Sequence, residues 1–193
     1  MEVAEPEGMT TDEDGLIRDL PRVRRESQKN AAPNETFRDY LKTQLPLSNK
    51  ELDGIVHTLT DDVWNQIDCL SCGSCCRSLE IVVGEKDIAR LARRLGISPK
   101  AFTEMYVGVA EDGTGHLKAS PPCPFLGEGN ACTVYEDRPQ ACRDFPYLRD
   151  HNFRSRSLIM VESCATCPIV FNVWERLKTR FPIPAKASGK KRR

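Results

Sequence analysis

The run Cys69-Leu-Ser-Cys72-Gly-Ser-Cys75-Cys76 places four thiols within eight residues, and few local conformations can use them all. In a CxxC step the two intervening residues form a turn whose backbone N–H groups point at sulfur, so both thiolates face one cation. The two steps share Cys72, and Gly73 can supply the positive φ that so tight a turn calls for. Cys75 and Cys76 are adjacent, and neighbouring side chains diverge by about 100° in a helix and about 180° in a strand. The pair is therefore expected to serve two metal sites, or one site with a spare thiol beside it.

At 193 residues and 39% hydrophobic, the chain suits one modest core with flanking segments. Its formal charge is balanced, which removes the case for nucleic acid or an anionic membrane as a bulk partner. The ends are uneven: Met1 to Asp14 holds six acids and no base, and Lys186 to Arg193 holds five bases and no acid. No apolar run approaches the roughly 18 residues of a spanning helix, and the acidic start lacks the basic and apolar regions of a secretion signal. A cytoplasmic setting is expected. There, nine cysteines are metal ligands or redox thiols rather than disulfides.

The spacing predicts disorder over residues 1–33, one domain over 34–182 and a basic tail over 183–193. Asn34 reads as an N-cap ahead of Phe37, Leu41 and Leu45, with Pro46 ending that helix. Leu52, Ile55, Val56, Leu59, Val63 and Ile67 form a helical stripe from about Asn49 to Gln66. Leu79–Val83 reads as a short strand. Lys86 to Leu95 is an amphipathic helix stopped by Gly96, and Ser98-Pro99 is an N-cap and first turn. Gly113-Thr-Gly115 is a turn between short extended pieces. The last helix runs from Pro168 to Arg180.

The other cysteines are Cys123, Cys132, Cys142, Cys164 and Cys167, the first three in loops dense in proline and aromatics. Proline fixes φ, so such loops hold thiols at low entropic cost. Cys69-x-x-Cys72-Gly-x-Cys75-Cys76, Asp87-Ile-Ala-Arg-Leu-Ala-x-x-Leu-Gly96, Cys123-Pro-Phe-Leu126, Cys132-x-x-Tyr135, Arg138-Pro139-x-x-Cys142-Arg143-x-Phe145-Pro146 and Cys167-Pro168 together resemble the YkgJ-type cysteine-cluster family, over about residues 67–170. That family is associated with zinc or iron chelation. The resemblance implies metal ligation by Cys69, Cys72, Cys75, Cys76, Cys123, Cys132, Cys142 and Cys167, with Cys164 an extra. The family's usual Pro-Gly ending is here Pro168-Ile169.

Eight thiols fill two four-coordinate sites, and both zinc and iron–sulfur clusters accept four cysteines. The CxxCxxC opening is ferredoxin-like and tilts toward iron; an all-thiolate zinc site explains the same residues. Arg77, Arg138 and Arg143 either offset thiolate charge or make ordinary turn contacts. The expected fold is a small, mainly helical α+β domain, stapled by metal, with short strands and disordered tails. The expected function is chelation of zinc or iron, an iron–sulfur cluster included, in a structural or metal- or electron-carrying role, with an unidentified protein partner in the carrier case. The alternative is an iron–sulfur enzyme, because flagellin lysine N-methylase carries a related cysteine cluster. No cofactor loop, HExxH, P-loop or catalytic triad stands in the sequence, so no catalytic residue is assigned.

Overall fold

The computed structural model describes residues 15–118 and 120–184. They divide into two compact units: one formed by the chain up to Ile67 together with the chain from His151 onward, the other by Asp68–Asp150. The middle segment carries a hydrophobic cluster built on Leu91, Phe102, Leu117, Phe125 and Val134.

The first unit is helical. It contains α1 (Leu20–Lys29), α2 (Ala31–Thr43), α3 (Asn49–Trp64), α9 (Phe153–Ser163) and α10 (Pro168–Arg180). Helix α3 starts at a capping box, in which the Ser48 hydroxyl accepts from Glu51 N and the Glu51 carboxylate accepts from Ser48 N at 2.8 Å. Helix α10 starts at Pro168, whose missing N–H costs nothing in a first turn. The unit's centre is Trp174, with Phe37 edge-on at 5.4 Å and Phe153 at 6.2 Å between ring centroids.

Two expectations are corrected in this unit. Residues 20–29 form α1, inside the stretch expected to be disordered; Met1 to Asp14 lie outside the described residues, as does the basic tail beyond Pro184. Order there comes from across the chain: Ile17 N donates to Asn172 Oδ1 at 2.9 Å, and Asn172 Nδ2 donates to Ile17 O at 2.8 Å. Asn34 is not an N-cap but a buried residue inside α2. Its Oδ1 accepts from Trp174 Nε1 at 3.1 Å and Lys178 Nζ at 2.9 Å.

The second unit carries the cysteine run on two short helices, α4 (Cys69–Cys72) and α5 (Ser74–Ser78), followed by α6 (Glu85–Leu95) and α7 (Pro99–Tyr106). Gly96 ends α6 in the left-handed region, and the Ser98 hydroxyl caps α7. Antiparallel β1 (Val107–Val109) and β2 (Gly115–Leu117) pair Gly108 with His116. The stretch Leu79–Val83 is not a strand. It touches β2 through one bridge, Val82 to His116, flanked by Val83 N to Gly115 O and Leu117 N to Ile81 O. Gly84 then starts α6 before a ladder can form. The segment from Pro121 is loops and 3-10 turns up to α8 (Gln140–Asp144).

Candidate metal centre

Asp68 opens the cysteine run by accepting from Leu70 N at 2.9 Å and Ser71 N at 3.2 Å, which caps α4 and sets Cys69 and Cys72 at its two ends. Gly73 has φ 58°, and a Cβ there would lie 2.7 Å from Arg77 Nη1 and 2.9 Å from Asn130 Cβ. Glycine is required on both counts. Asn130, itself at φ 69°, donates to Ser71 O at 2.6 Å and accepts from Arg77, while Arg77 Nη1 reaches Gly73 O at 3.3 Å. The Gly127–Ala131 loop thus grips the turn between the two CxxC steps. Sequence alone did not single out Asn130; the flanking Gly127 and Gly129 were its only signal.

The distal thiols are brought to the same place by backbone contacts. Cys123 N donates to Cys76 O at 2.7 Å, and Cys132 bridges to Leu126. Cys123 is a member of the hydrophobic cluster, and Cys76, Cys132 and Cys142 pack against it. Four thiols from four chain segments therefore share one apolar floor. Phe125 N points at Cys123 Sγ at 3.4 Å, the type of N–H to sulfur contact that favours a thiolate. Phe125 lies in the floor itself.

Burial pushes the Cys123 thiol up to about 11 and the Cys142 thiol up to about 12, the latter helped by the charges of Cys123, Cys76 and Cys132; it raises Cys132 as well. The Cys69 residue is exposed overall, yet burial of its thiol end, then the charges of Cys72 and Asp68, push it up to about 11. Cys76 goes the other way, down to about 7, chiefly through its hydrogen bond with the Cys75 thiol. Arg138 opposes the rise at Cys69, Cys132 and Cys142. Its guanidinium stacks 3.9 Å over the Tyr135 ring. Arg143 instead bonds backbone, reaching Arg138 O at 3.1 Å and Glu136 O, and Arg77 bonds Gly73 O and Asn130. The charge of Arg138 thus acts on Cys69, Cys132 and Cys142, and that of Arg77 on Cys76.

One geometric expectation is corrected. Cys75 and Cys76 do not diverge: their sulfurs lie 4.0 Å apart in the short α5. Four-coordinate thiolate geometry would put the family cysteines' sulfurs within about 4 Å of one another inside each site. Among the described residues no group of three or more His, Cys, Asp or Glu is arranged as a metal ion would hold it. Neutral thiols have no attraction to draw them to ligand distance, and paired thiolates repel; a cation supplies the missing term. The donor set fits a thiophilic ion nonetheless, since Cys76, Cys123, Cys132 and Cys142 bring four cysteine sulfurs to this floor.

The remaining two cysteines belong to the helical unit. Cys164 is 1% exposed, its Sγ donates to Met160 O at 3.3 Å, and burial raises its pKa far above the ordinary range. It is a packed core thiol. Cys167 is buried at the N-cap of α10, where its N donates to Ser163 O at 2.8 Å.

A family model, CxxCxxCC, described as "Putative zinc- or iron-chelating domain", matches residues 68–168, just over half of the chain. No curated protein and no solved structure matches. No helix among the described residues is long and apolar enough to cross a membrane.

Proposed function

The chain belongs to the CxxCxxCC family of zinc- or iron-chelating domains, and on that premise we propose that its cysteine-rich unit holds zinc or iron on thiolates drawn from Cys69, Cys72, Cys75, Cys76, Cys123, Cys132 and Cys142. The observation that carries this reading is the shared floor under Cys76, Cys123, Cys132 and Cys142. Thiols placed there singly, as small hydrophobes, would be spread through the core. Cys167, the eighth position of the family pattern, joins the proposal on the resemblance alone, and its own serine substitution tests it.

The bound ion would supply positive charge that lowers thiol pKa values and ties the loops together. The chain's residues do the rest. Four thiolates on a divalent ion leave a net charge of about −2, which Arg138 offsets from its seat on Tyr135. The N–H of Phe125 takes up negative charge on Cys123 Sγ. Gly73 and Asn130 fix the turn that sets Cys72 against Cys75 and Cys76.

The role we propose is structural first: the ion orders the loops from Pro121 to Pro146, which form little regular structure. The chemistry serves a carrier equally well, with an iron–sulfur cluster the redox-active variant. Anaerobic purification of the full chain, followed by metal analysis and an absorption spectrum, tests the reading. Stoichiometric zinc with a featureless visible spectrum, or iron with sulfur-to-iron charge-transfer bands, supports it and names the metal. A metal-free protein that unfolds with the same cooperativity before and after chelator treatment overturns it.

A further inference from the structure

Helix α6 belongs to the matched family segment, yet it carries no cysteine. Asp87 and Arg90 lie one turn apart on it, and Asp87 is 6% exposed. Asp87 Oδ2 accepts from Gly84 N at 3.2 Å, closing the helix's own first turn. Its other oxygen turns outward and accepts from Gln140 N at 3.0 Å, the first N–H of α8, and from Arg90 Nη2 at 2.5 Å. Arg90 then donates from Nη2 to Arg138 O at 2.8 Å and from Nε to Asp137 O at 3.1 Å. The two side chains thus hold residues 137–140 by three separate hydrogen bonds.

An ion pair that merely stabilised α6 would have its remaining donors and acceptors in water or on α6 itself. Here they converge on one segment of another loop. That segment contains Arg138, whose guanidinium sits over the Tyr135 ring, and it leads within two residues to Cys142. Pro139 stiffens it and removes the N–H that would otherwise need a partner. Arginine suits the task because its planar fork serves two carbonyls and a carboxylate in one fixed geometry, which a lysine ammonium does not.

We propose, resting on the metal-chelating reading above, that Asp87 and Arg90 are positioning residues of the metal centre: through residues 137–140 they set where Cys142 and Arg138 stand over the thiol floor. Outer contacts of this kind are typically worth a tenfold to hundredfold in metal affinity. The pair should therefore matter to the ion although neither residue touches it.

The test uses the full chain with Arg90→Ala, Arg90→Lys and Asp87→Asn, titrated with Zn²⁺ against a chromophoric chelator. In parallel, the metal-free proteins are alkylated and labelling is read separately at Cys142 and Cys69. Affinity for Zn²⁺ should fall about tenfold to a hundredfold in Arg90→Ala, and less in Arg90→Lys. Labelling of Cys142 should speed up while that of Cys69 stays as in the unsubstituted chain. Unchanged affinity with unchanged Cys142 labelling overturns the proposal. So does faster labelling of every cysteine together with a lower melting temperature, because that marks a general loss of fold. If Arg90→Ala does not fold, Arg90→Lys and Asp87→Asn decide. If the unsubstituted chain takes up no Zn²⁺, the zinc form of the chelating reading fails, and the selective labelling of Cys142 still decides the positioning role.

Discussion

The Sγ atoms of Cys75 and Cys76 lie 4.0 Å apart. A zinc–sulfur bond of about 2.3 Å puts neighbouring sulfurs of a tetrahedral site about 3.8 Å apart, so the two adjacent thiols already stand near the span of two ligands on one ion. Single Cys75→Ser and Cys76→Ser variants should each lower metal content, and the double variant should lower it little further. Additive losses from two separable sites, measured by metal analysis of the three variants, would contradict a shared ion.

Thiol reactivity in the metal-free chain should be ordered by position. Cys76 is brought down to about 7 by the Cys75 hydrogen bond, whereas burial holds Cys123 at about 11 and Cys142 at about 12. A depressed pKa means the thiolate forms as pH rises through 7, and the thiolate is the reactive form. Alkylation at pH 8 should therefore mark the Cys75–Cys76 pair well before Cys123, Cys142 or the buried Cys164. Equal rates at all of them, read by peptide mass spectrometry, would refute the ordering.

Asn34 joins α2 to α10 through one oxygen, bonded to both Trp174 Nε1 and Lys178 Nζ. Asn34→Leu leaves an indole N–H without its partner in the core and removes one from a half-buried ammonium. A buried donor left unsatisfied costs about 1–3 kcal/mol, so the variant should melt at lower temperature while keeping its metal. Unchanged thermal stability would show that water or a neighbour replaces the amide.

The capping box of α3 makes stability depend on acid. The Ser48 hydroxyl and backbone N–H hold the Glu51 carboxyl below its ordinary value. A depressed folded pKa contributes stability that is present above the unfolded carboxylate value and is lost as pH falls through the folded one. Ser48→Ala should therefore lower the melting temperature at pH 7 more than at pH 3. An equal loss at both values would assign the effect to the serine's own cap alone.

Helices that end in their own caps were legible in the sequence. Gly96, Ser98 with Pro99, and Pro168 mark the ends of α6, α7 and α10 close to where the structure has them, and the stripe from Asn49 marks α3. Helix α9 gave no such signal: Ser157 is fully buried while Leu158 and Ile159 are exposed, the reverse of a hydrophobic stripe. Its first N–H groups are accepted by Asp53, about a hundred residues earlier, at 2.8 and 2.9 Å. The cysteines were legible as a set because their spacing is itself the chemistry. The closeness of Cys75 to Cys76 was not, since it depends on the short turn of α5, and the grips of Asn130, Asp87 and Arg90 depend on contacts 47 to 59 residues apart.

The central claim is that thiols of the cysteine-rich unit bind the ion. Zn²⁺ and, anaerobically, Fe²⁺ should be titrated calorimetrically into the chelator-treated full chain, in two buffers of different ionisation heat. Because Cys123, Cys132 and Cys142 are held protonated by burial, binding must expel their protons. The account predicts saturable binding whose heat differs between the buffers by the protons released. No saturable binding, or binding with no proton release at pH 7, would contradict it.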